Sequence, residues 1–486
     1  VWISRFHAVY FRKEEDLMHS ARITIASLLL TAVAALSFAQ DELESQSAPE
    51  FGLGLTLGAQ SFPNPAYIPG GEAPELLTYQ SLGLTPDLAI GKFGVGLDLT
   101  LNYRFTAGDG TDFEVRPEDW IPGDSRNFFE VYLPKIRYIR WGTKGEPLYA
   151  LFGSVDNGIL GNGFIMGGYT NTQYLPSQRL FGLSLDVDGA LFDFPYLGIE
   201  TFVGNLAAFD LVGTRLFVRP LAGTEIPVFD GLQIGGTAVA DFNPFYFAED
   251  DPDATATIPL LLPSGTSQEE ASVAIFGADF RLPILANPVI SLAGFGDLVY
   301  QNGNLGGMLG TGGRLLGVMT YGAQLRLLGA NFLPVYFDNS YDLFRATKYA
   351  VYAGVPGFAT EGYVGWFASA GFSLINDQLV FAANLDGPFQ VDESNVLKQP
   401  HLLATLSVGE ELLAGFSVDA SYDKKGILSW SDLINPENAV IGARVNYRIE
   451  NATISLVYDL RYDPFPQPGA DEWVVTSKIE SAISLF

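Results

Sequence analysis

The chain has 486 residues, 53 of them Gly and none Cys, and is 48% hydrophobic with 17% charged residues. Its 27 basic and 55 acidic side chains leave a net charge of −28 at pH 7, which argues strongly against nucleic acid as a partner, because phosphate backbones are held by excess Lys and Arg. Length alone suggests two to four soluble domains, yet no composition shift or Pro/Ser linker divides the chain.

Positions 1–17 read as sequence upstream of the natural start. Met18 opens a signal peptide over 18–39: Arg22, an apolar stretch from Ile23 to Phe38, and the small-x-small site Ser37-Phe38-Ala39 before Gln40. The apolar stretch is short for a membrane anchor and runs into Asp41 and Glu42. No cysteine follows it, so no lipid attachment is expected. Removing 1–39, with four basic and three acidic side chains, leaves a net charge of −29. Residues 40–50 form a short N-terminal segment. No later apolar run is long enough for a membrane helix.

From Phe51 onward the chain alternates with period two, the signature of strands with two different faces. Phe51, Leu53, Leu55 and Leu57 alternate with Gly52, Gly54, Thr56 and Gly58. Phe93 to Phe105 sets apolar residues against Gly94, Gly96, Asp98, Thr100, Asn102 and Arg104. Leu183 and Leu185 oppose Ser184 and Asp186; Leu197 and Ile199 oppose Gly198 and Glu200; Leu216 and Val218 oppose Arg215 and Phe217. Phe416, Val418 and Ala420 oppose Ser417 and Asp419. The segments 130–141, 271–281, 289–300 and 361–375 alternate less cleanly.

The clearest unit runs from Ala439 to Tyr462. Ile441, Ala443, Val445, Tyr447 and Ile449 share one phase, with Arg444, Asn446 and Arg448 in the other. After Glu450-Asn451 the pattern resumes, with Ile454, Leu456, Tyr458 and Leu460 against Ser455, Asp459 and Arg461. Two such runs about a two-residue polar break predict a tight antiparallel hairpin. Each run is about ten residues, the length of a membrane-spanning strand. Facing Arg444 and Arg448 to lipid would cost roughly 2–4 kcal/mol each near the midplane, which assigns the apolar phase to the outside.

Connections alternate too. Short ones fall near 90–92, 142–147, 281–289, 375–378, 409–412 and 449–452. Long ones fall near 106–129, 157–177, 242–270, 301–313, 339–360, 386–400 and 423–438. This predicts an all-β fold over 51–486: a single transmembrane antiparallel up-and-down β-barrel of 16–20 strands, with a count of about 20 preferred.

This layout resembles Gram-negative outer-membrane β-barrel proteins, porins in particular, from Phe51 to Phe486. The resemblance implies short periplasmic turns, long external loops, export through the Sec pathway, residence in outer-membrane lipid and passive passage of small hydrophilic solutes or ions. It also implies an assembly signal at the terminal aromatic, Phe486, read by the barrel-assembly machinery; here Ile479, Ile483 and Leu485 lie in the opposite phase. The acidic balance adds an expected preference for cations.

The expected pore lining is the polar phase: Asp98, Arg104, Asp186, Glu200, Arg215, Arg326, Asp419, Arg444, Arg448, Asp459 and Arg461. These charges either form a field that selects ions or pair with one another to stiffen the wall, and sequence leaves the two even. Asp156 to Tyr174 is Gly/Asn-rich and is the third external loop by count. In general porins that loop narrows the channel, so Asp156, Asn157, Asn162 and Tyr169 are constriction candidates; an ordinary external loop or an extra hairpin is the preferred reading. Gln301 to Gly313 reads as a flexible Gly-rich connection, lacking a phosphate-binding Lys-Ser/Thr ending.

The acidic run Glu249, Asp250, Asp251 and Asp253 reads as a solvated loop rather than a metal site, since calcium-loop spacing is absent. His401, the one histidine after residue 39, is the only available base of its type and reads as a strand-end residue. No nucleophile-elbow, zinc-protease, CxxC or dinucleotide motif occurs. No enzyme activity, metal or cofactor is expected. Two other readings stay open. One is a barrel of the same build that moves hydrophobic substrates or acts as a surface scaffold or adhesin; Asn64-Pro65-Ala66 faintly resembles the fatty-acid transport barrels, and a plug formed by residues 40–90 would mark it. The other is a secreted soluble all-β protein.

Overall fold

The computed structural model describes residues 50–64, 76–105, 113–123, 127–174, 178–224, 226–247, 258–287, 289–393, 398–435, 439–449, 452–462 and 473–484. The expectations for residues 1–49, for the run 249–253 and for Phe486 lie outside them, as do the side chains of Asp459 and Arg461. The larger compact unit, Phe51–Leu88 with Lys92–Phe486, holds the β-sheet and its connections.

In chain order the strands are β1 (Glu50–Pro63), β2 (Leu76–Ile90), β3 (Phe93–Leu97), β4 (Leu99–Phe105), β5 (Phe113–Val115), β6 (Ile136–Trp141), β7 (Leu148–Gly153), β8 (Gly182–Asp188), β9 (Leu197–Val203), β10 (Leu211–Val218) and β11 (Gln233–Asp241). They continue with β12 (Val273–Ala286), β13 (Ile290–Gln301), β14 (Asn304–Leu315), β15 (Met319–Leu328), β16 (Tyr363–Leu374), β17 (Leu379–Pro388), β18 (His401–Leu413), β19 (Phe416–Lys424), β20 (Ala439–Ile449), β21 (Ala452–Tyr462) and β22 (Trp473–Ser484). Among the described residues two α-helices, α1 (Phe128–Tyr132) and α2 (Tyr341–Tyr352), lie in connections. Among the described residues no helix is long and apolar enough to cross a membrane.

From β6 onward each strand pairs antiparallel with the next. β6 also pairs β3, and β2 pairs both β3 and β4. β1 pairs β2 and β22, with Gly54 opposite Ser484 and Leu57 opposite Ser481. The hydrogen-bonded circuit thus returns to its first strand. Among the described residues the strand segments number 22. β3 and β4 are two pieces interrupted at Asp98, and β5 is a short flap paired to β4. Counting the pieces once and leaving out the flap gives twenty strands in the circuit.

Register confirms the faces that alternation assigns. Val445 lies opposite Leu456 and Tyr447 opposite Ile454, while Asn446 lies opposite both Ser417 and Ser455. The Asn446 amide donates to Ser417 Oγ at 3.0 Å and Ser455 Oγ donates to Asn446 Oδ1 at 2.7 Å. A one-residue slip would move each set to the wrong face. Of the outward phase, Leu216, Leu298, Leu309 and Leu327 are each more than half exposed.

The inner face departs from the expected uniform polarity. Phe202, Leu211, Val239, Val273, Ile275, Val299, Met308 and Leu328 share the phase of Arg215 and Arg326, and all are buried. They pack against Phe164, Ile165, Met166, Phe332, Tyr336, Phe337, Tyr341 and Tyr349 from two long connections. The apolar core therefore sits within the circuit, beneath loops that fold inward over β9–β16. Elsewhere the inner phase keeps small polar side chains such as Thr56, Thr85 and Thr100, where Thr85 and Thr100 lie against glycines of neighbouring strands.

Gln301–Gly313 corrects a sequence expectation. It is no flexible loop: Asn302-Gly303 makes a two-residue turn at positive φ (41° and 84°), and Asn304 onward is strand β14. Positive φ at both central residues is the hairpin turn that Asn-Gly favours. The glycines here serve close approach. A Cβ at Gly306 would overlap the ring of Phe332, which packs there from the inward connection.

Candidate functional site

The segment Asp156–Tyr174 leaves β7, turns inward and returns to β8. Gly158 and Tyr169 exchange backbone hydrogen bonds of 2.7 and 3.1 Å, so its base is a small hairpin. The preferred sequence reading of an external loop does not hold, and the extra hairpin holds only at this base. Apolar residues drive the turn: Phe164, Ile165 and Met166 are buried in the core, and Met166 bridges in parallel to Phe337.

The tip, Gly161-Asn162, lies on the charged wall. The Gly161 amide donates to Glu200 Oε2 at 2.8 Å. The Asn162 amide donates to Asp297 Oδ2 at 2.9 Å and to the Phe280 carbonyl at 3.1 Å. Arg281 donates to Asn162 Oδ1 and to the Gly161 carbonyl, both at 3.1 Å. Phe280, Arg281 and Asp297 stand mid-strand on β12 and β13, so the tip reaches well below the rim. Gly161 is required there: its φ is +58°, and a Cβ would press on the Arg215 side chain at 2.9 Å.

Beneath the tip Arg215 holds three strands together. It donates to Glu200 Oε1 at 2.7 Å on β9 and to Asp279 Oδ2 and Oδ1 at 2.9 and 2.6 Å on β12. Arg215 and Asp279 are each 2% exposed at the side chain. A bidentate guanidinium–carboxylate pair meets the requirement that buried charges be paired and hydrogen-bonded. Arg281, exposed on the same face, makes its hydrogen bonds among the described residues to neutral groups of the tip.

The other candidates are distributed around the wall. Asp98 accepts from Arg179 at 2.5 Å and from Thr100 at 2.5 Å. Arg104 pairs with Glu114 of the flap at 2.7 Å. Asp186 pairs with Lys144 at 2.9 Å. Arg326 lies 3.6 Å from Asp386, whose other oxygen is 3.2 Å from His401 Nδ1. His401 Nε2 is 2.8 Å from Asp423, so a carboxylate faces each ring nitrogen. Asp419 accepts from Ser407 at 2.6 Å and stands opposite Arg444 in the ladder. Arg448, at the turn end, pairs with Glu410 at 2.9 Å, and both are well exposed. Of the loop candidates, Asn162 touches the wall, Tyr169 is buried, and Asp156 and Asn157 are exposed at the base. Burial raises the Tyr169 hydroxyl well above its ordinary pKa, so it stays a donor to Asp342.

Sequence reading missed Asp279, Arg281 and Asp297, because 271–281 and 289–300 alternate poorly where small and apolar residues face inward under the loop. It also missed α2. The aromatic content of 332–352 was the available signal, since so many rings do not stay in water.

No family model and no curated protein matches the chain. Among solved structures it is similar to a BenF-like porin from Pseudomonas fluorescens Pf-5, at 11% identity over 90% of this chain and 99% of that one, TM-score 0.34. It is also similar to OccK9 (OpdG) of Pseudomonas aeruginosa, at 10% identity over 91% and 99%, TM-score 0.33. A third likeness is to OccAB3 of Acinetobacter baumannii, at 9% identity over 90% and 99%, TM-score 0.33. The fold assignment itself rests on the chain's own strand circuit, an up-and-down antiparallel β-barrel.

Proposed function

We propose that the chain is an outer-membrane channel through which small hydrophilic solutes and ions pass passively, with a preference for cations. The observation that carries this is the inward loop whose tip, Gly161-Asn162, is held on the mid-strand wall by Glu200, Arg281 and Asp297. A loop anchored at that depth narrows the interior without replacing the polar lining of the opposite arc. Thr56, Ser407, Ser417, Asp419, Asn446 and Ser455 would line the passage there. The exposed outer leucines are what lipid tails would cover.

Around the tip the acids Glu200, Asp279 and Asp297 outnumber Arg215 and Arg281, and Arg215 is consumed by two of them. This supports cation preference. Asp98, Arg104, Asp186, Arg326, Arg444 and Arg448 would shape the field mainly as pairs. Lipid around the barrel and the assembly machinery at Phe486 are the partners this reading brings, and it needs no cofactor or chemical step.

The hydrophobic-substrate reading asked for a plug from residues 40–90; of these, Glu50–Pro63 and Leu76–Ile90 are strands of the wall, while 40–49 and 65–75, with Pro65 and Ala66, lie outside the described residues. The test is single-channel recording of the refolded chain in planar bilayers. Stepwise conductance with a cation-selective reversal potential is expected. A chain that inserts as a heat-modifiable species yet conducts nothing would refute a channel, and one that stays soluble without detergent would refute the membrane barrel.

A further inference from the structure

The second inward connection, which carries α2, is fastened to the wall by an unbalanced charge cluster. Arg345 donates to Asp241 Oδ2 and Oδ1 at 2.6 and 2.7 Å, and its Nη2 is 2.7 Å from Asp210 Oδ2. Its Nη1 is 3.8 Å from Asp342 Oδ1. The side chains of all four are at most 5% exposed. Asp210 precedes β10, Asp241 ends β11, and Asp342 and Arg345 are on α2. Tyr341 donates to Asp241, and Tyr169 from the other inward loop donates to Asp342 Oδ2 at 2.9 Å.

One guanidinium cannot balance three buried carboxylates. Two oxygens, Asp210 Oδ1 and Asp342 Oδ1, have no hydrogen-bond partner among the described residues. A buried ionised oxygen without a donor is costly and is relieved by neutralisation.

We propose that Asp342 is a proton-binding site that latches the α2 connection inside the barrel, and that loss of this proton loosens the latch. Burial pushes the Asp342 carboxyl up to about 7 despite the opposing pull of Arg345. Burial also raises Asp210. The other groups facing the cluster are Tyr336, a neutral hydroxyl raised well above its usual range by burial, and Lys348, lowered by burial and paired with Asp338 at 2.7 Å. Lys425 stands over the Phe344 ring at 5.7 Å. Lys348 acts in the opposite sense to Asp342, so a variant at 342 separates them.

Linkage gives the sign. A released loop returns Asp342 to water and its ordinary pKa of 3.8. The docked state binds more protons between that value and about 7. Docking is therefore strongest in acid, weakens about tenfold per pH unit as pH rises, and levels off above about 7. The consequence for conduction rests on the channel reading; the latch itself does not.

The test is hydrogen exchange at the α2 amides of the refolded full chain in micelles, corrected for intrinsic rates, across about pH 5 to 8. Protection should fall about fiftyfold from pH 5 to 7 and level off by about pH 8. Asp342→Asn, which keeps an acceptor for Tyr169, should remove most of this fall. Constant wild-type protection, or an Asn variant that keeps the wild-type slope, overturns the proposal; if the variant does not refold, the wild-type series decides alone. Conductance measured in parallel separates the two readings. A conducting chain with pH-independent protection sinks the latch only, and a silent chain with the expected slope sinks the channel only.

Discussion

Arg215→Met tests the wall most directly. Methionine keeps the bulk and flexibility of the side chain beside Phe217, whose ring lies 4.8 Å from the guanidinium carbon, but removes every donor. Asp279, 2% exposed, then loses its paired cation, and Glu200 keeps only the Gly161 amide. Breaking a buried pair from one side costs about 3–5 kcal/mol, most of it the charge left behind. A second change, Asp279→Leu, removes that charge and should recover the greater part, because a well-packed apolar replacement of a buried pair is often neutral. The assay is urea-dependent folding into lipid vesicles, followed by tryptophan fluorescence and by heat-dependent gel mobility. A single variant within about 1 kcal/mol of the wild type, or a double variant no better than the single, would refute the account of Arg215 as a satisfied ion in a dry wall.

Leu456→Arg, on the outward phase, should cost about 2–4 kcal/mol of folding in vesicles if placed near the midplane, while Asn446→Arg on the facing inner phase should be tolerated; equal costs would deny the two faces different solvents. Arg281→Gln should raise the cation-to-anion permeability ratio and Asp297→Asn lower it. A unit charge 4 Å from an ion exerts ~1 kcal/mol in water, about fivefold on each ion and of opposite sign for cation and anion, so the ratio should move by up to about 25-fold; unchanged reversal potentials would remove both from the conduction path. Gly306→Ala puts a methyl into the Phe332 ring. It should cost about 1–3 kcal/mol and make the 329–362 connection easier to cleave by protease, with strand stability affected less.

Much of the wall was legible because strand alternation is a local property. The hairpin read as Ala439 to Tyr462 is β20 and β21, and the inward phase of Glu200, Arg215, Asp419 and Arg444 agrees with the ladder. Charge pairing was less legible, since Arg215 meets Asp279 across 64 positions and Arg345 meets Asp241 across 104. Gly-rich composition was misleading at 304–313, where glycine admits a neighbouring ring rather than flexibility, although Asn302-Gly303 carried the turn signal.

The amino-acid order by itself determined which side of each strand is oily, where the tight turns fall and how many strands there are to within a few, because side chains two apart must share a face whatever surrounds them. Only the tertiary structure decided that two long connections fold inward and share one apolar core with the wall. Phe164, Met166, Phe337 and Tyr341 would lose water against any apolar surface, and nothing in their sequence says which. The inner faces of β9–β16, with glycines and the carboxylates that receive Arg215 and Arg345, supply that surface only once the strands have come together.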